Sequence, residues 1–375
     1  MFVQEIIASY RVPFLEQLSK RKDIDLLVIS GEGNTSEGFE SPPKLEVKFN
    51  WKILKTIKCF IFNKKIVMLK NLFSTIMDFK PDIVITSNHK KFIQNYIIIL
   101  LKYFYGYKVF SYQHAENYTN KNKIIRSLEF IYFKYYSLRL FNGVILYTEF
   151  EKNHLMEKGI NEKIYYANNT LDTNEIFRIN SSLNENFATT VYENYKLKKV
   201  PSILFIGRLI DGKKVEKLFE YFQRLNKESG EFQLIVIGDG PMRESFVSTY
   251  KDISNVFFLG KIYDEDTISS IMKICKFVFL PGYVGLSIVH SFANGKPFIT
   301  FESQEHGPEI KYLNQGINGF ILKENEVDFN LKLMLRILTD EDYYKTLSKS
   351  ALETAKKYSI ENMVNNFYSV INHAV

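Results

Sequence analysis

Short apolar runs alternate with stretches of helical periodicity along the whole chain. The apolar runs predict strands at residues 2–7, 25–29, 82–86, 108–112 and 143–147, and again at 202–206, 233–237, 256–259, 277–280 and 297–300. Between the strands of the second half, apolar positions at helical spacing predict helices at 215–225, 267–274 and 286–293. Because such alternation favours a parallel sheet covered by helices, we predict an α/β fold in each half.

The stretch between the two halves has little periodicity. Residues 172–200 contain several asparagines and serines, which predicts a linker. We therefore predict an N-terminal domain at 1–180 with a linker to about residue 200, a second domain at 201–357 and a C-terminal helix at 358–375. Met363, Phe367, Val370 and Ile371 give that helix an apolar face. A length of 375 residues, two to three times that of a usual domain, agrees with two domains.

The composition excludes several classes of protein. Hydrophobic residues make up 46% and charged residues 24% of the chain, which excludes a mostly disordered protein. Cys59 and Cys275 stand far apart, so neither a disulfide framework nor a zinc site is predicted, and a reducing cytoplasm is expected. The first residues lack the pattern of a signal peptide. The apolar stretch 92–107 is interrupted by polar residues, so no membrane-spanning segment is predicted.

Positive charge is concentrated in the N-terminal half. The formal net charge is +7, but residues 1–150 hold 22 Lys and Arg against 13 Asp and Glu, whereas residues 151–375 hold 27 against 29. Residues 51–77 form a basic strip without any acid, in which lysines and aromatic residues are interleaved: Lys52, Lys55, Lys58, Lys64, Lys65 and Lys70 with Trp51, Phe60, Phe62 and Phe73. Such a strip suits an anionic membrane surface. The alternative is that these lysines form solvated helix faces in a sequence with biased codon usage.

The first segment that carries chemistry is FIGRLIDGKKVEKL. Its strand ends at Gly207, and Arg208 and Lys213 follow on a turn that leads into a helix. Two cations at the carboxyl end of a parallel strand, beside a helix N-terminus, favour the binding of a diphosphate. About 30 residues later, LIVIGDGPMRESF places Gly238 and Gly240 in a tight strand-to-helix turn, where backbone can approach a ligand.

Three further motifs follow these two in a regular order. They are NVFFLGKI, FVFLPGYVGLSIVHSFANGKPFIT and HGPEIKYLNQGINGF. Over residues 203–322 this order resembles the donor domain of GT-B glycosyltransferases, in particular glycosyltransferase family 4. The resemblance implies two Rossmann-like domains facing each other across a cleft, with a C-terminal helix that crosses back to the N-terminal domain. It also implies a metal-independent glycosyltransferase of the hexosyltransferase type.

The resemblance assigns roles to residues of the second half. Arg208 and Lys213 would hold the donor diphosphate and stabilise it as the leaving group, as catalytic residues. The residues implied to bind the nucleotide sugar are Gly207, Gly238, Gly240, Lys261, Ile262, Gly285, Leu286, Ser287, His290 and Glu309. Residues 260–262 would lie beside the base. The helix that opens at Gly285 and Leu286 would point N–H groups at the phosphates.

The chain departs from the family pattern at the E-x7-E motif, which the family associates with the donor ribose and the sugar hydroxyls. Gly282 and His290 occupy the two glutamate positions, counted back from Gly295 and Pro297. His290 either replaces the contact with the ribose or is a buried histidine with one hydrogen-bonded ring nitrogen. Glu309 in HGPE matches a family glutamate and would return a carboxylate to the donor site. Retention or inversion of stereochemistry stays open.

The N-terminal half resembles, more loosely, the acceptor domain of the same enzymes. Tyr10 and Arg11 follow the first strand in an opening common among bacterial members, and Arg11 would face an acceptor phosphate. Asn88 and His89 follow the strand at 82–86, and His114 ends the strand in VFSYQHAEN. A family histidine at that strand end faces the cleft near the donor sugar, so His114 is placed for hydrogen bonding or proton transfer. The alternative for both histidines is a capping or packing role.

No metal site is predicted. The two Asp-x-Asp patterns, Asp23 with Asp25 and Asp264 with Asp266, fall at a strand start and at a helix N-terminus. The second of them is expected to be a helix cap. In GT-B enzymes basic residues and helix dipoles neutralise the leaving diphosphate, and this sequence supplies such groups.

The leading hypothesis is a transferase that moves a sugar from a UDP- or GDP-sugar to a hydroxyl of a glycan acceptor in bacterial polysaccharide, lipopolysaccharide or capsule biosynthesis. The acceptor is expected to be lipid-linked, and the protein to lie in the cytoplasm against the anionic inner face of the cell membrane. No cofactor and no nucleic-acid partner are expected. Two alternatives share the fold, namely a sugar-nucleotide epimerase and a non-catalytic binding protein. The donor base, the sugar, the linkage and the oligomeric state stay open.

Overall fold

The computed structural model describes residues 1–32, 47–61, 64–87, 92–115, 123–184, 186–229, 231–251, 253, 255–303 and 305–374. The chain divides into two compact units, one formed by Met1–Asp172 with Ile360–Val375 and the other by Thr173–Ser359. Each unit contains one parallel sheet, so the predicted α/β class with two Rossmann-like sheets is confirmed.

The first unit is built on a 7-stranded parallel sheet. Its strands, with a separate hairpin formed by β4 and β5, are β1 (Phe2–Val3), β2 (Leu27–Gly31), β3 (Asn50–Leu54), β4 (Thr56–Ile61), β5 (Lys64–Leu69), β6 (Ile83–Thr86), β7 (Lys108–Gln113), β8 (Gly143–Leu146) and β9 (Ile164–Tyr166). The order in the sheet is β3-β2-β1-β6-β7-β8-β9. The central strands are apolar runs buried on both faces, as in IVIT of β6 and GVIL of β8.

Helices of the first unit connect these strands. They are α1 (Val12–Ser19), α2 (Leu72–Phe79), α3 (Gln94–Tyr105), α4 (Lys123–Tyr132), α5 (Leu138–Leu140) and α6 (Glu149–Glu157). A π-helical segment, Phe133–Ser137, joins α4 to α5. Helix α3 ends at Gly106, which takes up a left-handed φ of 77° that glycine adopts without strain. Helix α6 begins after Thr148, whose side chain accepts a hydrogen bond from the N–H of Glu151.

The basic strip is mostly extended, so the alternative that its lysines form helix faces is wrong for most of the strip. β3 pairs with β2 at the edge of the sheet, and β4 pairs with β5 as an antiparallel hairpin in which Cys59 stands opposite Ile66. The hairpin buries Val67 and Leu69. Alternating polar and apolar residues favour such a half-buried ribbon over a helix. Phe62 lies outside the described residues.

The second unit is built on a 6-stranded parallel sheet in the order β12-β11-β10-β13-β14-β15. Its strands are β10 (Ser202–Ile206), β11 (Gln233–Ile237), β12 (Val256–Gly260), β13 (Cys275–Phe279), β14 (Phe298–Phe301) and β15 (Gly319–Leu322). Its helices are α7 (Thr173–Ser182), α8 (Phe187–Asn194), α9 (Val215–Ser229), α10 (Arg243–Tyr250), α11 (Glu265–Ile274), α12 (Ser287–Ala293), α13 (Val327–Thr339) and α14 (Glu341–Lys357). Within the unit this is the doubly wound strand order 3-2-1-4-5-6.

Two helices occupy the segment in which the sequence predicted a linker. Helices α7 and α8 bury Ile176, Ile179 and Val191 and pack against α11. Asn180, one of the residues that suggested a linker, donates its side-chain amide to the carbonyl oxygen of Ile176 and to Asn294 Oδ1. Three buried apolar residues spread over two short helices give a weak periodic signal, so the helices were not predicted.

The C-terminal helix α15 (Ile360–Ala374) packs in the first unit, so the predicted return of this helix is confirmed. It contacts α1 and β9. The Phe367 ring lies 4.8 Å from the ring of Phe14 and 4.9 Å from that of Tyr112. Met363 and Val370 are buried in the same core. The apolar face of α15 therefore completes one side of the first sheet.

Candidate functional site

The strand order of the second unit creates a point where the connections that leave two neighbouring strands lead to opposite sides of the sheet. β10 is followed by β11 on one side, whereas β13, its other neighbour, is followed by β14 on the opposite side. Ligands of open parallel sheets bind at such a point, outside the carboxyl ends of the strands. The loops that leave β10 and β13, residues 207–214 and 280–286, therefore form a candidate site, which we call the switch-point site.

Backbone hydrogen bonds join the two loops of the switch-point site. The N–H of Gly282 donates to the carbonyl oxygen of Lys213 over 3.0 Å, and the N–H of Tyr283 donates to that of Gly212 over 2.8 Å. A Cβ atom at position 282 would lie 2.2 Å from the carbonyl oxygen of Gly212. This backbone leaves no room for a side chain, which gives a physical reason why the first glutamate of the E-x7-E motif is missing.

Lys213 is held within the switch-point site. Its Nζ donates to the carbonyl oxygen of Tyr283 and lies 4.7 Å from the centre of the Tyr283 ring. Burial lowers the pKa of Lys213 to about 8. The ammonium is therefore mostly charged at neutral pH, and a neighbouring anion would raise its pKa again. The sequence predicted the lysine but not its contact with Tyr283, although the PGY turn at 281–283 marks the place.

Arg208, the second predicted cation, is exposed on the loop that leaves β10. The next residue, Leu209, is fully buried, and its N–H donates to the carbonyl oxygen of Asp239 over 2.9 Å. This contact anchors the loop to the turn after β11. A guanidinium on an anchored loop presents several N–H donors to an anion at little further cost in conformational entropy.

The turn after β11 packs directly on the loop after β10. Gly238 has a φ of 145°, and a Cβ atom there would lie 1.8 Å from the carbonyl oxygen of Gly207. A Cβ atom at Gly240 would lie 2.4 Å from the carbonyl oxygen of Leu209. The glycines of the G-D-G-P turn are thus required by close backbone approach.

Lys261 and Ile262 follow β12, the edge strand of the second sheet. β12 lies two strands from β10, or about 10 Å at the usual strand spacing. Lys261 is exposed, with its Nζ 4.5 Å from the centre of the Tyr263 ring. These two residues border the same edge of the sheet as the switch-point site without belonging to its two loops.

His290 on α12 has a carboxylate partner that the sequence did not predict. Its Nε2 lies 2.7 Å from Oε1 of Glu265, the first residue of α11, and its side chain is 13% exposed. The pair places a carboxylate beside the position of the second family glutamate. Glu265 was missed because 25 residues separate it from His290 and no spacing motif connects them. Three residues before His290, the Ser287 Oγ is buried and has no hydrogen-bond partner among the residues that the structure describes.

A buried histidine ties the loop after β14 to the switch-point site. Nδ1 of His306 accepts from the N–H of Val284 over 3.2 Å, and its Nε2 donates to the carbonyl oxygen of Phe301 over 2.7 Å. Burial lowers the pKa of His306, so the neutral form is favoured and one nitrogen remains an acceptor. Glu309, three residues further on, is only 4% exposed. Its carboxylate lies close to Gly307, where a Cβ atom would be 2.6 Å from Oε2.

In the first unit, aromatic rings surround Arg11 at the carboxyl ends of the strands. The guanidinium carbon lies 4.9 Å from the centre of the Tyr112 ring, 5.5 Å from that of Tyr10 and 5.9 Å from that of Tyr147. Tyr112 belongs to β7, and Tyr147 follows β8 directly. The sequence predicted Tyr10 and Arg11, whereas the two strand-end tyrosines were missed because they are distant in the chain.

The guanidinium of Arg11 is buried without a full set of hydrogen bonds. Arg11 is 5% exposed, and its Nη2 donates only a long hydrogen bond of 3.4 Å to the hydroxyl of Tyr10. Within the described part of the chain, Nη1 is buried and has no acceptor. A buried cationic donor without an acceptor is costly, so this group is suited to an anion.

His114 lies at the same edge of the first sheet, just after β7. Its ring packs at a tilt against that of Tyr147 with 4.1 Å between the ring centres, and its Nδ1 lies 3.8 Å from Oε1 of Glu151. Glu151 is 1% exposed and accepts from the N–H of Ala115 over 2.9 Å. A half-exposed imidazole with a buried carboxylate behind it is oriented for hydrogen bonding or proton transfer. The sequence did not predict Glu151.

Asn88 and His89, the other two predicted acceptor-binding residues, lie outside the described residues. Asp264 accepts from the N–H of Thr267 over 2.9 Å and caps α11, as predicted. In the part of the chain that the structure describes, no three His, Cys, Asp or Glu residues are grouped so as to hold a metal ion.

A family model and several relatives match most of the second unit. Residues 190–354 match the family model of the glycosyl transferases group 1. The chain is 24% identical over 177 residues to the poly(glycerol-phosphate) alpha-glucosyltransferase of Bacillus subtilis, and this match covers 46% of the chain and 26% of that protein. It is 28% identical over 168 residues to an uncharacterized glycosyltransferase of Methanocaldococcus jannaschii, covering 43% and 45%. The chain thus spans less than half the length of these two relatives.

Similar solved structures extend over the whole chain. A glycosyltransferase from Rickettsia africae has a TM-score of 0.72 at 16% identity, covering 100% of this chain and 98% of that one. HepE from Anabaena in complex with UDP has a TM-score of 0.70 at 12% identity, covering 99% of both chains, and was also solved with UDP-glucose. The lipopolysaccharide outer core galactosyltransferase WaaB has a TM-score of 0.65 at 15% identity, covering 100% and 99%. This chain therefore has the GT-B fold, and most of its second unit matches the glycosyl transferases group 1.

Proposed function

We propose that this protein transfers a hexose from a UDP-sugar to a hydroxyl of a glycan acceptor, without a metal ion. The observation that carries the proposal is the switch-point site, where Lys213 lies on a fixed loop at the carboxyl ends of the neighbouring strands β10 and β13. A diphosphate is the anion that such a site suits. UDP and UDP-glucose bound to the similarly folded HepE support uracil as the base.

The proposed chemistry is stabilisation of the leaving group. The bond between the sugar anomeric carbon and the diphosphate breaks, and a bond from that carbon to the acceptor oxygen forms. Negative charge grows on the departing UDP, where Lys213 and Arg208 stabilise it electrostatically. The acceptor hydroxyl loses its proton, for which we propose His114, with Glu151 behind it to stabilise the imidazolium.

The acceptor is proposed to carry an anionic group and to be linked to a lipid. The buried, incompletely bonded guanidinium of Arg11 supports a phosphate or carboxylate on the acceptor. A lipid-linked glycan would be used at the inner face of a bacterial membrane, in the synthesis of a surface polysaccharide. The exposed lysines of the basic strip, Lys52, Lys55 and Lys58, support contact with anionic lipid there.

Incubation with a panel of UDP-, GDP- and CDP-sugars tests the proposal. Release of UDP from a UDP-hexose, accelerated by a glycan acceptor, would support it. Conversion of one nucleotide sugar into another would establish the epimerase instead, and binding without turnover would establish a non-catalytic protein. In thermal unfolding, UDP should raise the midpoint more than GDP or CDP at equal concentration, because stabilisation grows with the ratio of ligand concentration to Kd and the proposed base binds most tightly.

The affinity for the donor should depend on pH through Lys213. Because its pKa is about 8 in the free protein, Lys213 loses its charge as the pH rises above 8. We expect KM for the UDP-sugar to rise by up to about tenfold per pH unit above that point, with little change in kcat. The Lys213→Arg variant keeps its charge over this range and should have a flat profile of KM between pH 7 and 9.5. A wild-type KM that stays constant over that range would contradict the assignment of Lys213.

Replacement of Arg11 should affect the acceptor selectively. We expect Arg11→Lys to raise KM for an anionic acceptor by about tenfold or more, because lysine lacks the planar fork that binds an oxyanion through two N–H groups. The shift of the unfolding midpoint by UDP should stay at the wild-type value. Arg21→Lys is the matched control, since Arg21 also lies over a tyrosine ring, that of Tyr368. Equal acceptor KM values for wild type and Arg11→Lys would exclude the proposed role.

A further inference from the structure

Helix α3 presents an apolar stripe to solvent. Tyr96, Ile97, Leu100, Tyr103 and Phe104 are between 40% and 73% exposed, at the i, i+1, i+4, i+7 and i+8 positions of one helix face. The opposite face packs Ile98 and Ile99 into the core of the first unit. A helix at the surface of a protein in water normally has polar residues on its outer face, so α3 is apolar on both sides.

Helix α4 repeats this arrangement. Ile124, Ile125, Leu128 and Ile131 are between 42% and 71% exposed and again follow the i, i+1, i+4, i+7 spacing. Together with the α3 stripe they form what we call the α3–α4 apolar face. Nine large apolar side chains in two ordered stripes differ from the singly scattered hydrophobic residues that are ordinary on a protein surface.

Side-chain contacts join α3 to the segments that directly follow α4. The ring of Tyr96 on α3 lies 5.6 Å from that of Tyr136, in the π-helical segment that continues α4, and Tyr136 stacks on Tyr132 of α4 at 4.5 Å. At the other end of α3, Lys102 donates to the carbonyl oxygen of Leu140. The two stripes therefore belong to neighbouring elements of one unit.

Cations and tyrosines border the apolar face. Lys134 and Arg139 are exposed and lie 5.7 Å and 5.8 Å from the centre of the Tyr135 ring, and Lys102 lies 5.0 Å from that of Tyr103. Residues 94–105 and 123–140 hold five Lys and Arg against a single acid, Glu129. Aliphatic residues flanked by tyrosines and by cations on long stems are typical of helices that lie in the headgroup region of a bilayer.

The charge beside the apolar face favours a lipid bilayer over a second copy of the chain as its partner. In a symmetric dimer through this face, the same cations would meet across the two-fold axis and repel each other. An anionic leaflet instead supplies phosphates to the cations and an apolar layer to the stripes. With 12 and 10 residues, α3 and α4 are too short to span a bilayer. More generally, no described helix has the length and hydropathy for a membrane span.

We propose that the α3–α4 apolar face inserts into the headgroup region of an anionic bilayer, with both helices parallel to the membrane plane. The basic strip would then attract the bilayer electrostatically, and salt would weaken this attraction. The apolar face would contribute hydrophobic binding that salt does not weaken. The inference deepens the proposed use of a lipid-linked acceptor, but insertion itself does not depend on sugar transfer.

Co-sedimentation with vesicles tests the proposal. Wild-type protein is mixed with phosphatidylcholine vesicles, with or without one-quarter phosphatidylglycerol, at 0.1 M and 0.5 M NaCl. We expect binding to the anionic vesicles at both salt concentrations. The double variant Leu100→Gln/Phe104→Gln should bind them at least tenfold more weakly, because two side chains that would enter the bilayer become polar. Phe329→Gln, which changes another exposed phenylalanine, in the second unit, is the matched control and should bind like wild type.

Further measurements distinguish an effect on membrane binding from an effect on folding or on activity. Thermal unfolding and UDP release from a UDP-hexose should be the same for the double variant and wild type. Wild-type binding by the double variant would overturn the proposal. So would a concentration-dependent dimer, seen by light scattering without lipid and lost in the double variant, since the face would then pair copies of the chain. If no form of the protein turns over a nucleotide sugar, the proposed function fails, while the vesicle result still decides the role of the face.

Discussion

Replacing either cation of the switch-point site with alanine should lower turnover by about two orders of magnitude. Lys213→Ala and Arg208→Ala each remove a positive group from the loop where we propose that charge grows on the leaving diphosphate, and loss of one such contact typically costs 10²–10³ in rate. The expected effect is on kcat as well as on kcat/KM, because the charge is greater in the transition state than in the bound donor. Steady-state release of UDP from a UDP-hexose measures it.

Lys217→Ala is the control for both variants. Lys217 lies on α9, four residues after Lys213, and pairs with the half-buried Glu220 on the same helix. Such a surface pair contributes little to stability, so its loss should leave turnover and the unfolding midpoint near the wild-type values. Wild-type rates in both Arg208→Ala and Lys213→Ala, with unchanged unfolding, would show that the diphosphate does not bind here.

Gly238→Ala should abolish donor binding through the backbone alone. The new Cβ atom would lie 1.8 Å from the carbonyl oxygen of Gly207, so the loop that carries Arg208 must move. The φ of 145° adds strain for alanine, and we expect a loss of about 3 kcal/mol in the free energy of unfolding. The stabilisation by UDP should be lost even under conditions in which the variant stays folded. Thermal unfolding with and without UDP measures both effects.

Gly212→Ala separates this effect from a general intolerance of the site to alanine. Gly212 belongs to the same loop, but no atom of the described residues lies within 4 Å of the place where its Cβ atom would be. The Gly212→Ala variant should therefore bind UDP like wild type, and both its unfolding midpoint and its turnover should be near the wild-type values. If Gly238→Ala retained the wild-type response to UDP, the turn after β11 would not determine the position of the loop after β10.

Local patterns in the sequence predicted the buried strands and the loops that follow them. Runs such as FVF in β13 and LIVI in β11 are apolar on both faces, which is typical of a central parallel strand. The doubly wound order places their carboxyl ends together, so the glycines and cations after them could be assigned to one edge. The α/β class was predicted correctly for this reason, whereas the return of α15 was predicted from the resemblance to GT-B glycosyltransferases.

Elements without that signal were missed. β9 has three residues, and β3 is an edge strand in which Lys52 interrupts the apolar run, so neither stands out as a buried strand. The partners of the site residues were missed for a different reason. Glu151 beside His114 and Glu265 beside His290 come from other elements, and hydrophobic periodicity does not specify which loops meet. The missing glutamate at position 282 was visible in the sequence, but its cause, the carbonyl oxygen of Gly212, was not.

The placement of α15 has a consequence for synthesis on the ribosome. Residues 173–359 form one contiguous unit, so they can fold as soon as they have emerged, whereas the first unit lacks one wall of its core until α15 is made. Until then the side chains that contact Phe367, such as Phe14, stay in water. A nascent chain would therefore carry an unfinished domain at its front and a finished one behind it, reversing the usual order in which domains fold during translation.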